Sequence, residues 1–235
     1  MKPELSGHPK LIYFAERPPG LDRAGFRERW RQHARLGMSM PRWRNVHRYV
    51  HCDSVAVPGA TLPVSWCDGV AMVWYRSEQT RLRHVSDRSA GPQMKKDEAE
   101  TFARPVRDVA ILAEELVFRP CEPAAFKLFL RVWRRPGQSL QTYREWWQES
   151  FGPKLLQRLD DEGICRGYVQ NHARPETSRG TVPAPICDCV DELACDDAVA
   201  CGVAIREVLA ANEAAAAGVL DVKAIWTAET LLYTL

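Results

Sequence analysis

Apolar and polar positions along the chain fall into short runs that repeat in order. Lys10-Leu11-Ile12-Tyr13-Phe14-Ala15 and Lys127-Leu128-Phe129-Leu130-Arg131-Val132 are both brief and apolar, and each is closed by Pro and Gly. Runs of this kind read as buried strands. Each is followed by an amphipathic stretch with one aromatic spacing, Phe26-Arg27-Glu28-Arg29-Trp30 and Tyr143-Arg144-Glu145-Trp146-Trp147. Aromatics at i and i+4 share a helix face, so both pairs are expected to pack onto a sheet. Asp22 and Ser139 are the expected N-caps, and Pro41 fits the end of the first helix.

Second strands are expected over Val46–His51 and Arg166–Gln170, sharing a Tyr-Val pair, and each precedes a loop rich in Pro, Gly, Ser and Thr. Third strands are expected over Trp66–Tyr75 and Ile186–Asp191, marked by a shared Cys-Asp-x-Val. Helical stretches follow, Ser77–Asp87 and Met94–Ala103 in the first half and Asp197–Ala217 in the second. Closing strands are expected over Val109–Phe118 and Lys223–Tyr233.

Strand, helix, strand, strand, helix, strand, twice over, is the split βαβ arrangement. It predicts an α+β protein of two fused ferredoxin-like βαββαβ units, residues 9–118 and 124–235, joined by a linker at Arg119–Pro123. One unit covers only one face of its sheet with helices, so the two bare faces are expected to bury each other within the chain.

Composition narrows the function classes. With 46% hydrophobic and 26% charged residues the chain is an ordinary globular protein, and a net charge of +2 without a basic stripe argues against nucleic acid. The N-terminus has no apolar signal core, and the longest apolar stretch, Ala214–Leu220, is far short of a membrane span. A cytosolic protein is expected, its eight cysteines free thiols. Cys187, Cys189, Cys195 and Cys201 lack the paired spacing of a zinc site, so no metal is expected. Neither G-x-G-x-x-G nor G-x4-G-K-[ST] is present, and no cofactor is expected.

Phe26-x3-Trp30 with His33 nearby, the Arg48-Tyr49-Val50 strand, Asp68-Gly69-Val70-Ala71 and a closing strand containing Ala113-Glu114 resemble the EthD-like proteins of the dimeric α+β barrel superfamily. The resemblance covers residues 9–118 well and 126–235 more weakly. It implies an intramolecular dimeric α+β barrel, a pseudo-dimer that leaves room for further homodimerisation. It also implies small-molecule chemistry linked to oxidative breakdown, with cyclases and decarboxylase-like lyases among the wider relatives. A fold of this kind does not fix the reaction.

His33 is the foremost catalytic candidate, a neutral imidazole able to take a proton from an acidic phenol or from carbon beside a carbonyl. The family pattern places a His about here, usually one residue later and before Gly-Pro or Ala-Pro, where this chain has Ala34-Arg35. The second half has Ser150 or Phe151 at the equivalent position, so chemistry is expected in the first half alone. His47, Tyr49 and His51 alternate along one strand and so share a face, either lining a pocket or filling a polar barrel interior. Tyr49 is a candidate to orient a substrate oxygen. Asp68, matched by Asp188, caps a turn or orients a histidine. Trp30, Trp66 and Trp74 are candidates to wall an apolar pocket, alongside His47 and His51 as substrate-binding residues. The leading expectation is a cofactor-free, oxidoreductase-type enzyme for a hydrophobic aromatic or polyketide-like compound. A lyase, a non-catalytic carrier serving an oxygenase and an interaction scaffold are the alternatives.

Overall fold

A computed structural model describes residues 2–60, 62, 67–89, 91–174, 186–213 and 219–234. The first set of elements is β1 (Glu4–Leu5), β2 (Lys10–Ala15), α1 (Arg23–Met38), β3 (Val46–Ser54), β4 (Gly69–Tyr75), α2 (Glu78–Ser86), α3 (Gly91–Thr101) and β5 (Ala110–Arg119). The second set is β6 (Phe126–Arg134), α4 (Leu140–Trp146), α5 (Gly152–Asp161), β7 (Cys165–Ala173), β8 (Cys189–Cys195), α6 (Ala198–Glu213) and β9 (Val219–Thr234). A π-helical turn, Trp147–Phe151, joins α4 to α5. No helix among the described residues is long and apolar enough to cross a membrane.

The strands form one antiparallel sheet in the order β5-β2-β4-β3-β9-β6-β8-β7, which β5–β7 pairing closes into an eight-stranded barrel. The short β1 is added to β5. Closure leaves no unpaired barrel edge between the two sets of strands. The expected turns after β2 and β6 form at Gly20 and Gly137, with φ of 89° and 86°, a conformation that glycine adopts without penalty. Asp22 and Ser139 cap their helices as expected, accepting from the backbone N–H of Gly25 and Thr142.

Two turns, one in each set, are built alike. Asp68 N–H bonds to Ala15 carbonyl (2.8 Å) and its carboxylate accepts from Arg17 N–H (2.9 Å). Asp188 N–H bonds to Val132 carbonyl (2.9 Å) and its carboxylate accepts from Arg134 N–H (2.8 Å). Register places Lys10 opposite Ala113 and Lys127 opposite Thr227, so Glu115 and Glu229 occupy matching sites two residues on.

Several expectations are corrected. The third strands begin at Gly69 and Cys189, because Asp68 and Asp188 are spent on the turns that precede them. The second of these strands runs on to Cys195. The π-helical turn holds both Ser150 and Phe151, the two positions expected to stand where the first half has His33. The barrel interior is not filled by the Tyr49 face. It holds an alternating ladder of charges that starts from the partly exposed pair Arg48–Glu229 (3.3 Å) and runs inward through Glu229–Lys127, Lys127–Glu192 (2.7 Å), Glu192–Lys10 (2.6 Å) and Lys10–Glu115 (2.8 Å). Burial disfavours the charge on Glu192, but Lys10 and Lys127 outweigh it and hold the carboxyl well below the usual range. All eight cysteines are free, and no metal-binding cluster occurs among the described residues.

Candidate active site

The first-half candidates gather between α1 and the sheet, outside the barrel. Trp30 is fully buried, stacked on His51 at 3.8 Å between ring centroids and on Phe26 at 5.6 Å. Its ring can lie this close to β4 because Gly69 has no side chain: a Cβ there would run into the indole.

Around Trp30 runs a buried chain of hydrogen bonds. Arg31 reaches His51 Nδ1 (2.5 Å) and Asp53 (2.5 Å), His51 Nε2 meets the Tyr49 hydroxyl (2.5 Å), and Tyr49 meets the Tyr13 hydroxyl (2.8 Å). Trp30 Nε1 donates to Tyr13 (3.1 Å). A guanidinium can only donate, so His51 Nδ1 accepts and its proton sits on Nε2, which donates to Tyr49. Burial first, and the Arg31 charge second, push His51 well below the usual imidazole range and keep it neutral. Burial also raises Tyr13 to about 12. Donors therefore enter the tyrosine pair from both ends. One hydroxyl hydrogen lies between the two oxygens, and the other has no acceptor among the described residues.

His33 sits on the same helix, 8% exposed, edge-on to Phe102. Its Nδ1 lies 2.5 Å from Asp97 on α3, which Arg29 also grips at 2.6 Å. Nε2 has no partner among the described residues. Burial lowers the His33 pKa more than Asp97 raises it, leaving a neutral ring oriented by a carboxylate. Trp30, Tyr49, His51 and His33 are thus brought to one layer. Sequence reasoning passed over Tyr13, Arg31, Asp53 and Asp97. Tyr13 lies 17 residues from Trp30 on another element and Asp97 lies 64 residues from His33, so neither carries a local mark.

Other candidates lie elsewhere. Asp68 does not meet His33; its neighbours are Arg17 (3.5 Å) and Arg23 (3.9 Å). His47 falls at a β-bulge between Val46 and Arg48, leaves the Tyr49–His51 face and stacks on His8 at 4.8 Å. Trp74 points into the barrel, donating to Glu115 (3.1 Å) beneath Lys10, whose ammonium is 4.4 Å from the ring centroid. Trp66 lies outside the described residues.

The second half builds a different centre in the same layer. Trp147 stacks on Phe151 at 3.8 Å and donates to Asp191 (2.8 Å), while Tyr168 donates to the other Asp191 oxygen (2.7 Å). Asp191 is fully buried, and burial raises its carboxyl to about 7. Its role was not legible beforehand, because an acidic residue inside an apolar strand reads as an outward position.

A cavity of about 500 Å³ opens at one end of the barrel, lined by Arg17, Arg23, Asp68, Ser54, Val55, Ile225 and Trp226 among others. Arg23 and His33 are ten residues apart on α1, about 15 Å along its axis. The cavity and the His33–Asp97 pair are separate features.

Comparison with solved structures supports the same fold. The chain superposes on an anthrone oxidase-like protein with a TM-score of 0.60 at 8% identity, over 97% of this chain and 92% of that one. A candidate monooxygenase from Fusobacterium nucleatum gives 0.55 at 8% identity, covering 97% and 94%. A heme-binding protein from Thermus thermophilus gives 0.53 at 11% identity, covering 98% and 94%. At such identities the likeness speaks to the fold. No curated protein sequence matches the chain. The EthD domain profile matches residues 18–105, the stretch that supplies α1, β3, β4 and α3. The chain thus carries a match to the EthD domain over residues 18–105, within a fold similar to that of these solved α+β barrel structures.

Proposed function

We propose that this is an oxygenase-related small-molecule enzyme of the cytosol that acts without a cofactor on a hydrophobic aromatic or polyketide-like compound. His33 is its proton acceptor. The observation that carries this reading is the His33–Asp97 pair at 2.5 Å, with a neutral ring and Nε2 left unpartnered among the described residues. Asp97 holds the Nδ1 proton, so Nε2 carries the lone pair that takes a proton from an acidic phenol or an activated carbon. The resulting electron-rich anion is the species that dioxygen oxidises. The spare hydroxyl hydrogen of the Tyr13–Tyr49 pair is a candidate donor to a substrate oxygen. Names given to similar folds, anthrone oxidase-like and candidate monooxygenase, point toward the same chemistry.

In this reading residues 9–118 and 124–235 are diverged copies of one unit, and the second copy closes the barrel in place of a partner subunit. The matched turns at Asp68 and Asp188 and the matched sites of Glu115 and Glu229 support that history.

A thermal-shift screen of anthrones, phenols, quinones and aromatic acids tests the proposal. A ligand at a hundredfold excess over its dissociation constant adds about 2.7 kcal/mol. Stabilisation of wild type that weakens in His33→Ala supports it, and equal shifts in both variants count against it. A second reading, a carrier for a neighbouring oxygenase, is favoured by one observation: the described cavity lies well away from His33.

A further inference from the structure

We infer that the cavity at the barrel mouth is a binding site for a flat, apolar carboxylate. This inference is independent of the proton chemistry assigned to His33. The cavity straddles the seam where β3 meets β9, with walls from both halves of the chain: Arg17, Arg23, Ser54, Val55 and Asp68 from one, Ile225 and Trp226 from the other. Its volume of about 500 Å³ lies within the range of about 300–1,000 Å³ typical of small-molecule sites.

Two independent features ask for an oxygen acceptor there. The first is charge. Among the described residues, Asp68 is the one carboxylate paired with the guanidinium groups of Arg17 (3.5 Å) and Arg23 (3.9 Å), and one of its oxygens is already taken by the Arg17 backbone N–H. One carboxylate against two cations leaves a positive surplus at the rim. The second is an unmet donor. Trp226 is only 3% exposed, and its indole N–H has no partner among the described residues. A buried N–H left unpaired is costly, and a ligand oxygen would relieve it.

The remaining walls, Val55, Val57, Ala60 and Ile225, are apolar. Together these ask for a ring system that fills the cavity and carries an anionic group to the arginines. A neutral analogue would fill the same space and leave the guanidinium surplus unanswered.

Isothermal titration of the full-length protein with naphthoate, and with its methyl ester as the uncharged control, tests the site. Naphthoate is expected to bind saturably and more tightly than the ester. Its dissociation constant should rise at least tenfold in the Arg17→Gln/Arg23→Gln variant and several-fold in Trp226→Phe, and stay unchanged in His33→Ala. Both arginines are partly exposed, at 38% and 58%, so the double variant should melt like wild type. Absence of saturable binding overturns the inference, as does equal affinity for acid and ester, or an affinity unaffected by loss of both arginines. Loss of binding in His33→Ala would move the ligand to the other end of α1 and overturn the location.

Discussion

His33 on α1 and Asp97 on α3 meet at 2.5 Å, and the bond ties together two helices that pack over the same end of the sheet. Burial and Asp97 pull the imidazole in opposite directions, and burial wins. NMR titration should therefore find the His33 midpoint below 6.5. Replacing Asp97 with Asn removes the carboxylate charge that favours the proton, so the midpoint should fall further. A midpoint above 6.5 in wild type, or a rise in Asp97→Asn, would contradict this geometry.

Asp191 predicts an opposite pH response. Its folded pKa of about 7 lies above that of an ordinary carboxylate, so the folded state holds a proton that the unfolded chain has released. Stability from this group is full at low pH and is lost as pH rises from about 4 to 7, by an amount on the order of 4 kcal/mol at most. The buried histidines work the other way: His51, His84 and His172 have depressed values, so their contribution falls as pH drops below 6.5. The difference between wild type and Asp191→Asn isolates the carboxyl. Urea midpoints should show that difference widening in favour of Asn between pH 5 and 7; a constant difference would refute the assignment.

Much of the barrel was legible because its strands are short apolar runs bounded by Pro and Gly, and because Asp68 and Asp188 mark one turn twice. What was not legible was long-range or a matter of one residue. The bulge at His47 breaks an alternation that reads as unbroken in the sequence. The charge ladder joins Lys10 to Glu192 across 182 residues, and a lysine at a strand start reads as solvent-facing. Of the candidate-site residues, Trp30, Tyr49 and His51 were singled out by helix and strand periodicity, and His33 by the family resemblance. Their partners Asp97 and Arg31 were missed because only tertiary contact singles them out.

Gly69 is predicted to be intolerant of any side chain. A Cβ would meet the Trp30 ring and, at 2.9 Å, the Cys52 carbonyl oxygen, neither of which can retreat from a packed layer. Gly69→Ala should cost about 1–3 kcal/mol or more by urea denaturation. Gly91→Ala is the control, since nothing lies within 4 Å of its added methyl, and it should be close to neutral.

Glu192 balances two lysines inside the barrel at once. Glu192→Gln removes the central negative charge and leaves Lys10 with Glu115 and Lys127 with Glu229. Each lysine keeps one carboxylate and trades a charged hydrogen bond for a neutral one, so equilibrium unfolding should register a loss of about 1.5–3 kcal/mol. A loss under 1 kcal/mol would mean that the ladder is well hydrated.

The most direct test is the pH dependence of dioxygen consumption with acidic phenols, in wild type and in His33→Ala. The His33 assignment predicts a rate that declines on the acid side along the NMR midpoint of His33. It further predicts that His33→Ala loses about 10²–10⁴ of that rate together with the acid limb. Wild-type rates and an unchanged pH profile in His33→Ala would contradict it.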